Sequence, residues 1–125
     1  MDMFIVIVGT PRTKKTSNRI FKVGKFHKVM PSEAFMTWQS IAVPQLRIAA
    51  AGRSPLRQPV NVRAMWYRDA ERGDLVGYMQ ALADVLQTAG IVEDDKWIRG
   101  WDGSRLSKDA ARPRVELHIE LLTPV

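Results

Sequence analysis

Phe4-Ile5-Val6-Ile7-Val8 is an unbroken β-branched apolar run, which predicts a buried central strand ended by Gly9-Thr10-Pro11. From Glu33 to about Ala51 the spacing becomes helical, with Phe35, Trp38, Ile41, Ala42, Leu46 and Ala49 recurring on one side. Ser32 after Pro31 is a good N-cap for that helix, and Gly52 stops it. Pro44 lacks an N–H and crowds the preceding turn, so a kink or break is expected there. Val60, Val62, Ala64 and Trp66 then alternate with Asn61, Arg63, Met65 and Tyr67, marking a strand with one polar face. A second helix is expected from about Leu75 to Ala89, with Leu75, Met79, Leu82, Leu86 and Ala89 on its core side and Gly90 just past its end. Asp74, Gly77, Ala81, Asp84 and Thr88 form another stripe, turned away from that core. Asp102-Gly103, inside Trp97 to Leu106, is a hairpin signal. The last strand, Arg114 to Leu122, sets Val115, Leu117, Ile119 and Leu121 against Glu116, His118 and Glu120.

The order β-α-β-α-β-β, without internal repeats or a low-complexity linker, predicts one domain over residues 1–125. Its class is α/β (α+β), two helices packed on a small mixed sheet. A chain of 125 residues suits a single modest core. Residues 10–30 interrupt the pattern as a basic loop, with a loose hairpin around Gly24 in which Phe21, Val23 and Phe26 could pack.

Charge changes this picture more than composition does. The net charge is +6, but residues 1–63 hold eleven Lys and Arg against only Asp2 and Glu33, whereas residues 64–125 are net acidic. Arg12, Lys14, Lys15, Arg19, Lys22, Lys25 and Lys28 make a dense basic arm suited to a phosphate backbone, and His27 within it is read as a phosphate contact. With no cysteine and only His27 and His118, disulfides, thiol nucleophiles and cysteine zinc sites are excluded. Any bound cation should be a hard one on oxygen ligands, Mg²⁺ or Mn²⁺. Gly9 to Lys15 lacks the spacing of a phosphate loop, so no nucleotide cofactor is expected. Met3 to Val8 is too short to span a bilayer and lacks the basic lead of a signal peptide, so a cytoplasmic protein is expected.

Against this basic background the carboxylates gather between Asp74 and Asp95. Asp74 opens the second helix, as an N-cap or as a metal ligand. Asp84 lies ten residues on, about 15 Å along the helix axis. Glu93-Asp94-Asp95 forms a polar turn beyond the helix end. Only tertiary structure can bring these groups together; a divalent cation between them would orient a water for attack on phosphorus. Trp38 and Trp66 fall on apolar faces and are assigned to the core. Trp97 and Trp101, beside Lys96, Arg99 and Arg105, could stack on bases or pack a hairpin or a dimer interface. His118, on a polar strand face, is assigned a structural role.

Asp74…Asp84-Val85-Leu86…Gly90-Ile91…Asp94-Asp95…Ile98 resembles the signature of RusA-type Holliday junction resolvases, the crossover junction endodeoxyribonucleases of bacteria and their prophages. The likeness extends to the first strand, the basic segment Pro11 to Arg19 and the last strand. It implies a homodimer that cuts four-way DNA junctions in recombination and repair, using Mg²⁺ or Mn²⁺ on aspartates. Asp74 and Asp95 match two catalytic aspartates of that family, and Asp94 is expected to complete the metal site ahead of Asp84. The sequence departs at two places: Val76 replaces an expected aspartate and Gln80 an expected lysine. The alternative is a catalytically weakened DNA-binding relative of the same fold.

Overall fold

The computed structural model describes residues 2–14, 19–23, 26–30 and 32–122, with side chains for 2–14 and 32–122. In chain order the elements are β1 (Asp2–Val8), β2 (Arg19–Val23), β3 (Phe26–Met30), α1 (Glu33–Ala49), β4 (Val60–Arg68), α2 (Leu75–Thr88), a 3₁₀ turn (Asp95–Trp97), β5 (Ile98–Gly100), β6 (Arg105–Lys108) and β7 (Arg114–Leu121). Both helices and a five-stranded mixed sheet make up a small α+β domain, as the sequence predicts. The sheet runs β1-β7-β4-β5, with β6 also on β4. β7 is antiparallel to both β1 and β4, whereas β5 and β6 are parallel to β4. β2 and β3 form the expected hairpin and pair with each other, Val23 opposite Phe26. No helix among the described residues is long and apolar enough to cross a membrane.

The core lies between the helices and one face of the sheet. Ile5, Ile7, Val60, Val62, Ala64, Trp66, Val115, Leu117 and Ile119 come from the strands; Phe35, Trp38, Leu46, Tyr78, Leu82, Val85 and Leu86 come from the helices. Trp38 and Trp66 are core residues, as their positions predict.

Three local expectations are corrected. β1 is an edge strand, not a central one, and buries only Met3, Ile5 and Ile7. Helices cover one face of the sheet, so the other apolar face of β1 stays exposed. Of the kink or break expected at Pro44, the break does not occur: α1 continues through it, because Phe35, Trp38, Ala42, Val43 and Leu46 anchor both halves to the core while Pro44 is exposed. Residues 97–106 do not form a hairpin. Asp102-Gly103 does turn the chain, with Gly103 at φ 84°, but the segments on either side both add to the same edge of β4.

That detour is held by side chains acting as strand backbone. Buried Asn61 accepts from the Asp102 N–H at 2.8 Å and donates to its carbonyl at 3.2 Å. The Ser104 hydroxyl accepts from the Ala64 N–H at 2.9 Å and donates to the Val62 carbonyl at 3.1 Å. Between β5 and β6 the exposed edge of β4 is therefore satisfied. Asn61→Ala should lower stability by roughly 1–3 kcal/mol, since it removes the partners of Asp102. Urea denaturation checks this: a lower midpoint with an unchanged slope is expected.

Candidate functional site

Asp74 begins the site and is first a cap. Its Oδ1 accepts from the Gly77 N–H at 2.8 Å, satisfying one of the four orphan donors of α2. Gly73 at φ 75° turns the chain into that cap. The next turn is fixed by Tyr78, whose hydroxyl donates to the Arg72 carbonyl at 2.8 Å and whose ring packs on Trp66 at 6.0 Å. Burial pushes the Tyr78 phenol above its ordinary pKa, so it stays a neutral donor.

Docking through Tyr78 rotates α2 relative to the sequence reading. The buried stripe is Gly77, Tyr78, Ala81, Leu82, Val85 and Leu86, and Leu75 is left exposed. Gly77 and Ala81 thus face inward, not away. Gly77 and Gly73 make room for Thr13: a side chain at Gly77 would meet the Thr13 Cγ2 at 3.2 Å, and one at Gly73 would meet it at 3.1 Å. The glycines at 73 and 77 admit a neighbouring segment of this chain, Pro11 to Lys14, with Pro11 and Thr13 buried.

Laying that segment on α2 carries Lys14 to Asp84, with Nζ 3.6 Å from Oδ1. The pair is half-exposed and worth little as stability. Its consequence is positional, because Lys14, Gln80, Ala83, Asp84 and Asp95 line one cleft of about 380 Å³.

Asp95 reaches the cleft through a turn tied at several points. The Ile91 N–H donates to the Leu86 carbonyl at 2.9 Å, beyond Gly90 at φ 77°. Leu56 brackets the turn, donating to Ile91 and accepting from Glu93, both at 2.9 Å. Asp94 caps the 3₁₀ turn by accepting from the Lys96 N–H at 2.8 Å. Gln87 then accepts from the Asp95 N–H at 2.9 Å, which sets Asp95 relative to α2.

The structure therefore brings together Asp84 and Asp95, with Lys14 between the basic arm and the acids. Asp74 and Asp94 do not line this cleft, and Asp94 engages its Oδ1 in the cap. Among the described residues, no group of three or more His, Cys, Asp or Glu could hold a metal ion. An all-oxygen pair still fits Mg²⁺, which takes one or two carboxylates and completes its shell with water and substrate phosphate. A closed protein cage it is not.

Arg12 and Lys14 are the described side chains of the arm. Lys15 and Lys25 lie outside the described residues, as do the side chains of Arg19, Lys22, His27 and Lys28. The tryptophans separate. Trp101 packs on Trp66 at 6.2 Å and belongs to the core margin. Trp97 donates its indole N–H to Glu93 at 2.9 Å, and Lys96 and Arg99 lie over its ring at 5.3 and 5.9 Å. His118 stands on the open face of the sheet between Arg63 at 3.2 Å and Asp2 at 3.5 Å.

Two residues that build the site carry no sequence signal of it. Gln87 looks like an ordinary exposed helix residue, and Thr13 like part of a basic loop. The spacing of Gly73 and Gly77 was the available clue to Thr13. No family model matches this chain, and no curated protein does.

The cap can be separated from any other role of Asp74. Asp74→Ala should cost about 1 kcal/mol, within 0.5–2, whereas Asp74→Asn, an equally good cap, should leave stability unchanged. Thermal and urea unfolding of the two variants side by side make the comparison.

Proposed function

We propose that this protein is a Mg²⁺- or Mn²⁺-dependent endodeoxyribonuclease that cuts four-way (Holliday) DNA junctions in recombination and repair, as a cytoplasmic homodimer. The observation that supports it is the meeting of Asp84, Asp95 and Lys14 at one cleft in a chain of net charge +6.

The basic arm, with Arg12 and Lys14 at its root, binds backbone phosphates and draws the duplex toward α2. Lys14 places a cation in the cleft where the resemblance expects a lysine at Gln80. It is therefore the group that faces the charge developing on the transferred phosphate. Asp84 and Asp95 would hold the metal, which when bound would supply Lewis-acid polarisation of a phosphoryl oxygen and a water of lowered pKa. Gln87 keeps the Asp95 backbone fixed, and Gln80 offers a neutral amide to a water or a phosphate oxygen. In a homodimer, two such clefts would address two strands of a symmetric junction.

A second reading, a DNA-binding relative with a weakened metal site, is favoured by one observation. Val76, where the resemblance expects an aspartate, is 56% exposed and supplies no ligand, so only two carboxylates share the cleft.

An end-labelled four-way junction, with a linear duplex alongside, separates these readings in Mg²⁺ and in Mn²⁺. Wild type should nick the junction symmetrically. Asp84→Asn and Asp95→Asn should each slow cutting by about 10²-fold or more while junction binding is kept. Lys14→Ala should slow cutting and also reduce the salt dependence of binding by about one phosphate's worth. Wild-type cutting by both aspartate variants would sink the nuclease reading; salt-sensitive binding without nicks in either metal would establish the second.

A further inference from the structure

The open edge of the sheet has a parity that the hydrogen bonds around Val8 reveal. The Gly9 N–H donates to the Pro113 carbonyl at 3.2 Å, on the β7 side. Val8 instead donates to and accepts from the Gln45 carboxamide, both at 2.8 Å, on the opposite side. Odd-numbered residues of β1 therefore bond β7, and even-numbered ones direct N–H and C=O away from the sheet. Gln45 satisfies Val8. Asp2, Phe4 and Val6 have no such substitute among the described residues.

An edge of this kind is usually blunted by lysine, proline or a bulge. β1 carries none of these between Asp2 and Val8, and its pairing with β7 is regular over all seven positions. Instead it is apolar on both flanks. On the open sheet face Phe4, Val6 and Val8 are 66%, 40% and 60% exposed. On the helix side Ile41 abuts Gly9 and Gln45 abuts Val8. Ile48, one turn beyond Gln45 on α1, is 78% exposed.

We infer that β1 pairs antiparallel with β1 of a second copy of this chain, joining two sheets into one of ten strands. Three open ladder positions, 2, 4 and 6, are symmetric about Phe4. A two-fold axis there sets Phe4 opposite its own copy and Asp2 opposite Val6, while the Gln45 cap at Val8 ends the ladder. A second copy fits because the open set is self-complementary under that axis and the strand carries no cation to repel its twin. Phe4, Val6, Ile41 and Ile48, all exposed, put apolar side chains on both flanks of that ladder, as the centre of a dimer interface requires. The inference gives the homodimer of the proposed function an interface, but it rests on backbone geometry and not on DNA cutting.

Val6→Pro is a selective test. It deletes an N–H that faces away from β7, which an edge strand tolerates. Light scattering behind size exclusion should show a dimer for wild type at micromolar concentration and a folded monomer for the variant. Phe4→Cys supplies a second test in a chain without cysteine. Opposed residues of a hydrogen-bonded pair lie about 5.5 Å apart, within disulfide reach. Mild oxidation should cross-link Phe4→Cys and leave Val8→Cys monomeric on a denaturing gel. Amide exchange of Phe4 and Val6 should slow as protein concentration rises. A wild-type monomer at 100-fold higher concentration overturns the inference, as does a dimer that survives Val6→Pro or cross-links at Val8 and not at Phe4. None of these readouts uses DNA, so loss of the nuclease reading leaves the result standing, and the reverse holds.

Discussion

β4 has neighbours on both sides along most of its nine residues, and burial of its inner face leaves no water to satisfy its backbone. β7 meets one side from Val60 to Tyr67. The other side is met in pieces, by β5, by the hydroxyl of Ser104 and by β6. Much else follows from that requirement. Trp66 on β4 is the surface on which Tyr78 seats α2 and against which Trp101 closes the edge. The start of α2, and with it Asp84, is thus set from β4 outward.

The cleft is assembled from three segments distant in the chain. α2 supplies Gln80 and Asp84, the turn beyond it supplies Asp95, and the segment after β1 supplies Lys14. Lys14 sets an opposite charge beside the two carboxylates, its Nζ 3.6 Å from Asp84. Under the proposed function, a phosphate arriving along the basic arm would compete for that lysine, and the metal would arrive together with the polyanion.

Residues that act on their immediate neighbours were legible in the sequence. Ser32 and Asp74 as caps, Gly90 past the end of α2, the alternation of β4 and β7, and the burial of Trp38 and Trp66 all depend on local spacing. What was not legible depends on which partner arrives. Phe4 to Val8 is apolar on both faces, and such a run does not reveal that helices cover only one. Asp102-Gly103 specifies a turn but not the direction of the strand that follows, which Asn61 decides from forty-one residues away. Helical spacing gave α2 a core stripe centred one step from the true one, because Tyr78 and the glycines accepting Thr13 shift it. That Asp84 and Asp95 line one cleft was hidden for the same kind of reason: distance along the helix says nothing about the turn that folds back toward its end.

Side-chain carboxamides recur where strands stop. Asn61 imitates a neighbour for Asp102 within the sheet, and Gln45 imitates one for Val8 at its rim. Each presents a donor and an acceptor in the spacing of a peptide group, so each terminates a ladder without leaving a polar atom unpaired. Termination is useful only where continuation would otherwise be possible. At Asn61 the continuation is the detour between β5 and β6. At Gln45 it is the outward ladder of β1, and the cap covers Val8 while leaving Phe4 and Val6 open. A device that closed the whole edge would need a longer helix contact or a guarding charge. A cap at one end instead defines how far a partner strand can run, which is how an edge sets register.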